Sequence, residues 1–225
     1  MRPNRSMTTL ALMVGAGMLA GLAAIFFWVP TEEFQGIVQR TFYVHVPAAW
    51  VAYLAFAVVL VGSIQYLRTS SERWDTVARS SAEVGVVFCG INIVTGMLWG
   101  KPIWGTYWQW DARLTSMFVL MLVYLGYLLF RSMATDPSRG ARIGAVIGIV
   151  GFVDVPIVHF SVRWFRTLHP EPTVINPESS PQLPFEMLAT LIFMVGVFTA
   201  LYALILSFRV RLARLESQVS ALESS

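Results

Sequence analysis

Three histidines and a cluster of tryptophans are the residues of this sequence best suited to chemistry. The cluster occupies residues 99–111, which read WGKPIWGTYWQWD and contain four tryptophans and one tyrosine. Indole rings this close together form a broad apolar surface with N–H donors at its edges. Gly100, Pro102 and Gly105 can bend the segment so that the rings face one way. Such a surface suits a large planar aromatic ligand better than a small polar one.

Two of the histidines flank this cluster in the sequence, and the third is less suited to bind a ligand. His45 precedes Pro47, and His169 precedes Pro170 in a proline-rich segment. Heme iron takes axial imidazoles on opposite faces of the ring, and two separate segments can deliver them. We therefore predict His45 and His169 as axial ligands. His159 lies at the end of an apolar run, and we interpret it as structural.

Two arginines are candidates for the propionate groups of such a ligand. Arg40 lies five residues before His45, and Arg113 follows the tryptophan cluster. The planar guanidinium group suits carboxylates. The alternative, contact with lipid headgroups at a membrane interface, remains open for both.

Cysteine chemistry is narrowly limited, because Cys89 is the single cysteine. One cysteine excludes an internal disulfide, a CxxC redox pair and a CxxCH heme-attachment motif. Any heme bound by this sequence is therefore expected to be held non-covalently.

The composition shows which elements must position these residues. Of the 225 residues, 56% are hydrophobic and 13% are charged, and the mean hydropathy is +0.63. A soluble domain carries roughly 25% charged residues, so this is a membrane protein. Each of six apolar runs is long enough, or nearly so, to cross the bilayer as a helix. The runs are Leu10–Val29, Ala48–Leu67, Val84–Leu98, Leu114–Phe130, Ile143–Val158 and Met187–Phe208. We predict an all-α, polytopic fold with six transmembrane helices in one domain, residues 1–225.

Charge asymmetry predicts the orientation. Eleven arginines lie on the side of the termini and of the connections near Arg68 and Arg131, against five Lys or Arg residues on the other side. The positive-inside rule then places both termini in the cytoplasm. All three histidines and seven of the eight tryptophans fall on the external side. We interpret Trp28 and Trp50 as part of an interfacial aromatic belt. The external segments 30–47, 99–113 and 161–184 are predicted to form the heme site.

The motifs resemble those of a known family. Residues 99–116, WGKPIWGTYWQWDARLTS, resemble the tryptophan-rich "WWD" signature of bacterial heme-handling proteins in cytochrome c biogenesis. Residues 43–50, YVHVPAAW, and 162–170, VRWFRTLHP, resemble the heme exporter protein C (CcmC) family in particular. The resemblance runs from the first predicted helix to the last.

The resemblance implies a location, a function and a set of partners. Members of that family sit in the bacterial inner membrane with the ATPase and membrane subunits of an ABC transporter and a small single-span protein. They bind heme b on the periplasmic side and present it to a membrane-anchored heme chaperone during c-type cytochrome maturation. They are heme-transfer subunits rather than enzymes, and no nucleic acid is involved.

The resemblance also assigns residues. The family's heme-ligating histidines correspond to His45 and His169, and its tryptophan motif corresponds to six residues of the 99–111 cluster. These six platform residues are Trp99, Gly100, Trp104, Trp108, Trp110 and Asp111.

Three other functions fit the sequence less well. A cytochrome c heme lyase subunit would be a longer chain with more helices and more histidines. A cytochrome b-like electron carrier would place paired histidines on facing helices within the bilayer. A purely structural transporter subunit would leave the one-sided histidines unexplained.

Overall fold

The computed structural model describes residues 5–169 and 183–223, and within those residues the chain forms six helices that are long and apolar enough to cross a membrane. This confirms the predicted all-α, six-span fold. Arg2 and residues 170–182 of the third external segment lie outside the described residues.

The helices occur along the chain in the following order. α1 is Arg5–Ala23 and continues as a π-helical turn, Ala24–Trp28; a 3₁₀ turn, Ile37–Thr41, leads directly into α2. The remaining helices are α2 (Phe42–Thr69), α3 (Glu72–Trp104), α4 (Ala112–Met133), α5 (Pro137–Phe152), α6 (Asp154–Trp164) and α7 (Phe185–Glu223). α5 and α6 together form the fifth span, Pro137–Trp164.

The fifth span was predicted as one helix; its regular hydrogen bonding is interrupted at Val153, whose backbone stays helical (φ −59°, ψ −28°). Pro156 explains the break, because its ring clashes with the carbonyl of Phe152 and it cannot donate to that carbonyl. Asp154 opens α6 at the break, and its buried Oδ2 has no hydrogen-bond partner among the described residues.

α2 is the central helix of the bundle and packs against α3, α5 and α7, whereas α1 packs mainly on α7. Aromatic and hydroxyl groups join these helices. Phe56 of α2 stacks on Tyr124 of α4 with ring centroids 3.8 Å apart. The Ser81 hydroxyl of α3 lies 2.8 Å from both the Ala55 carbonyl oxygen and the Tyr202 hydroxyl oxygen.

The external segments are more helical than the sequence suggested. α2 begins at Phe42, so His45 lies in its first turn rather than in a loop, and Pro47 follows within the helix. α3 continues to Trp104 before Gly105, whose φ of 76° ends the helix in a left-handed conformation. A proline near a helix start and a glycine just beyond a helix end are both compatible with these extensions.

Candidate heme-binding site

The end of the bundle where α2, α4 and α7 begin and α3 and α6 end carries the candidate site; we call it the site end. A cavity of about 40 Å³ lies there. Four of the predicted residues line it together, namely His45, Trp108, Arg113 and His169. The fold therefore brings both predicted iron ligands to one cavity from segments far apart in the sequence.

His45 reaches the cavity from α2 and is held by Thr95 of α3. The Thr95 hydroxyl donates to the Ile91 carbonyl oxygen at 2.7 Å, so its oxygen is free to accept from His45 Nδ1 at 3.1 Å. This contact favours the tautomer with the proton on Nδ1 and the lone pair on Nε2. The ring of Trp99 packs edge-on against His45 at 5.7 Å between centroids.

Asn92 and Gly96 complete the surroundings of His45, and neither was predicted. Asn92 Nδ2 donates to the His45 carbonyl oxygen at 3.1 Å and lies 3.3 Å from both ring nitrogens. A Cβ atom on Gly96 would lie 3.0 Å from His45 Cε1. Residues 92, 95, 96 and 99 share a face of α3, so their helical spacing was the sequence signal that could have placed them together.

His169 follows α6 and is held by Asp111. Its Nδ1 lies 3.5 Å from Asp111 Oδ2, which is longer than an ordinary hydrogen bond, and this buried nitrogen has no hydrogen-bond partner among the described residues. The same carboxylate accepts from the Leu168 backbone N–H at 3.2 Å and caps α4 through the Leu114 N–H at 2.8 Å. Trp104 packs against the imidazole at 5.1 Å between ring centroids. Asp111 therefore ties the segment of His169 to the start of α4.

Asp111 remains a carboxylate at neutral pH. Burial alone raises the pKa of Asp111, but its contacts with His169, the Leu114 N–H and the Leu168 N–H outweigh burial and hold that pKa below its ordinary value. A negative charge consequently stands beside His169 Nδ1, which favours the proton on Nδ1 and leaves Nε2 as the nitrogen that can bind a metal.

The tryptophans occupy different positions around the two histidines rather than one flat surface. Trp99 donates to Gln35 Oε1 at 2.9 Å, and Trp104 lies over Gly100, where a Cβ atom would be 2.9 Å from the indole ring. Trp108 lines the cavity, and its buried Nε1 has no hydrogen-bond partner among the described residues. Trp110 packs edge-on against Trp108 and is 75% exposed.

The two arginines and the third histidine differ in position. Arg113 lines the cavity. Arg40 is not among the cavity residues in the described part of the chain; its guanidinium lies 5.6 Å from the centroid of the Phe26 ring. His159 also lies outside the cavity lining and packs on Phe160 at 5.0 Å between centroids.

The donor set fits heme better than a bare metal ion. Among the described residues, no group of three or more His, Cys, Asp or Glu side chains could hold a metal ion alone. Two imidazoles match the iron of heme, whose other four ligands come from the porphyrin. The unpartnered Trp108 N–H and the Arg113 guanidinium add donors suited to the edge of an anionic ring. The cavity itself has room for little more than water.

Six spans with a cavity lined by two histidines, a tryptophan and an arginine at one end define a polytopic membrane protein with a candidate heme site. The sequence profile of the heme exporter protein C family (CcmC) matches residues 3–225. The chain therefore belongs to the heme exporter protein C family, which confirms the resemblance seen in its motifs.

Individual relatives agree with this assignment. Heme exporter protein C of Bradyrhizobium diazoefficiens is 38% identical over 77% of this chain and 65% of its own length. The protein of the same name from Haemophilus influenzae is 33% identical over 91% of this chain and 81% of its own. A ccmC-like mitochondrial protein of cytochrome c biosynthesis from Marchantia polymorpha is 37% identical, with 80% of each chain covered.

Proposed function

We propose that this protein binds heme b non-covalently at the site end and presents it to a membrane-anchored heme chaperone during maturation of c-type cytochromes. The observation that carries the proposal is the approach of His45 and His169 to one cavity among the tryptophans. The names of the relatives, which refer to heme export and cytochrome c biosynthesis, support the same function.

The chain acts in this proposal as a heme-transfer subunit rather than an enzyme. His45 and His169 bind the iron through Nε2, and Arg113, with Arg40 as a second candidate, binds propionates. The platform residues around Trp108 contact the ring edge, and heme is the cargo. Because no cysteine pair is present to attach it, the cargo can leave again.

The non-helical segment that carries His169 must move for the ring to enter. The present cavity of about 40 Å³ is far smaller than a porphyrin. His45 lies on a long helix, whereas residues 165–169 follow the end of α6; Leu168 donates to Asp111 and His169 packs against Trp104. We propose that outward movement of this segment widens the cavity.

The proposed location is the bacterial inner membrane with the site end in the periplasm. The excess of arginine at the opposite end supports this orientation. The proposed partners are the ATPase and membrane subunits of an ABC transporter, a small single-span protein and the heme chaperone.

The test is the heme content of protein purified in detergent from heme-replete cells, measured by the Soret band and the pyridine hemochrome assay. We expect heme in the wild type and a loss of more than about tenfold in His45→Ala and His169→Ala. Even loss of a partner that orients a metal ligand costs about 10- to 100-fold in metal affinity. His159→Ala is the matched control and should retain heme.

A colourless wild type would contradict heme binding. Full heme content in both His45→Ala and His169→Ala would contradict the assignment of the ligands. Loss of heme in all three variants would show that removal of any histidine at this end disturbs the fold.

A further inference from the structure

The two candidate iron ligands have partners of different chemistry. Asp111, a carboxylate, stands 3.5 Å from His169 Nδ1. The contacts of His45 through its ring nitrogens are to a neutral hydroxyl, Thr95, and a neutral amide, Asn92. This difference bears on how firmly each imidazole binds the iron, and it rests on the proposed function.

Asp111 makes the His169 imidazole a stronger electron-pair donor to the iron. A carboxylate beside the distal N–H of a metal-bound imidazole fixes the ring and raises its basicity. The Leu114 and Leu168 N–H groups hold the carboxylate in place from both sides, at 2.8 and 3.2 Å. Asp111 is thus a positioning residue that acts on the iron through His169.

The partners of His45 are neutral and give its imidazole no such support. The Thr95 hydroxyl accepts from Nδ1 without adding charge. The Asn92 amide donates to the His45 carbonyl oxygen at 3.1 Å and lies 3.3 Å from both ring nitrogens, and it adds no charge either. Gly96 and Trp99 border the ring on the side of α3.

We propose that the iron is bound unequally: His169 is the strong ligand supported by Asp111, and His45 is the weak ligand that an incoming ligand replaces when heme is passed on. In that exchange the iron–Nε2 bond of His45 breaks, and the lone pair returns to the imidazole. The incoming group donates its own lone pair to the iron, whose oxidation state does not change.

Carbon monoxide serves as the incoming ligand in the test. Wild-type protein with bound heme is reduced with dithionite and exposed to CO, and resonance Raman spectra give the Fe–C and C–O stretching frequencies. These frequencies depend on the donor strength of the histidine that remains opposite CO. We expect Asp111→Asn to shift both frequencies, because it removes the charge beside His169.

Two features make this comparison specific. Asparagine caps helices as well as aspartate does, so the start of α4 is preserved in Asp111→Asn. Thr95→Val is the matched control, since it removes the equivalent partner of His45 and should leave both frequencies unchanged if His45 has already been displaced.

The opposite pattern, a shift in Thr95→Val but not in Asp111→Asn, would overturn the proposal, as would no shift in either variant. Should Asp111→Asn lose its heme, His45→Gly and His169→Gly, each reconstituted with hemin, give a second measurement. The CO adduct of His45→Gly should then match that of the wild type, and a match with His169→Gly instead would overturn the proposal. A wild type without heme would contradict the proposed function itself.

Discussion

At the scale of single residues, the candidate site depends on what holds each histidine. His45 is fixed by Thr95, Asn92 and Gly96 of the neighbouring helix, whereas His169 is fixed by Asp111. Thr95 and Asp111 favour the proton on Nδ1 of their histidines, which leaves Nε2 as the nitrogen that can bind a metal. A small change beside a histidine should therefore alter heme binding even though the iron ligand itself is intact.

Gly96→Ala tests this dependence. The added Cβ would lie 3.0 Å from His45 Cε1, so the imidazole must shift or α2 and α3 must separate. Overpacking of this kind costs about 1–3 kcal/mol, and at 1.4 kcal/mol per tenfold change we expect heme affinity to fall by about tenfold. Titration of the purified apoprotein with hemin measures the change.

Gly90→Ala is the matched control on the same helix, because no atom lies within 4 Å of its added Cβ. It should bind hemin as the wild type does. Equal affinity of Gly96→Ala and the wild type would mean that His45 does not need its present position against α3.

The sequence was informative about the candidate ligands but not about the residues that contact them. His45, His169 and the tryptophans are rare residue types concentrated on one side of a membrane protein, and such asymmetry is visible without a structure. Asn92 and Thr95 are ordinary polar residues within an apolar span. Their role depends on the packing of α3 against α2, which no local pattern specifies. Asp111 was predicted as part of the platform, and its contact with His169 emerges only from the fold.

At the scale of the elements, apolar runs predicted the existence of each helix better than its ends. The runs Ala48–Leu67 and Val84–Leu98 correspond to the longer helices Phe42–Thr69 and Glu72–Trp104. Hydropathy detects the part of a helix that matches the lipid core, whereas the helix continues through polar turns until a residue such as Gly105 ends it. These extensions are what place His45 and Trp99 on helices.

The glycines of the fifth span show that residue spacing along one helix can indicate which of its faces packs closely against its neighbours. Gly140, Gly144, Gly148 and Gly151 recur at spacings of four, four and three, a stripe of small residues that predicts close helix packing in membranes. A Cβ on Gly148 would lie 2.9 Å from Val59 Cγ1 of α2, and one on Gly151 would lie 2.7 Å from Val123 Cγ1 of α4. The break at Val153 was not predicted, although Pro156 in the sequence was its signal.

At the scale of the whole molecule, the two ends of the bundle differ in chemistry. The site end carries histidines and tryptophans, and the opposite end carries ion pairs such as Arg131–Asp75 and Arg209–Glu83. Arginines concentrate at the end that faces the cytoplasm in most membrane proteins. We therefore expect the site end to face the periplasm.

Thiol labelling of a cysteine-free background, Cys89→Ala, checks this orientation. Gln109 lies at the site end and Thr135 lies in the α4–α5 connection, and both are exposed, so each is replaced by cysteine in turn. A membrane-impermeant maleimide applied to intact spheroplasts should label Gln109→Cys at once and Thr135→Cys only after permeabilisation. The reverse order would place the candidate site in the cytoplasm.

The central claim is that His45 and His169 bind the same iron, and electron paramagnetic resonance of ferric heme tests it most directly. Two imidazoles give a strong ligand field, so we predict a low-spin signal from the wild type. His45→Ala and His169→Ala, each reconstituted with hemin, should both give a high-spin signal because one axial imidazole is missing. A high-spin wild type, or low-spin signals from both variants, would contradict ligation by this pair.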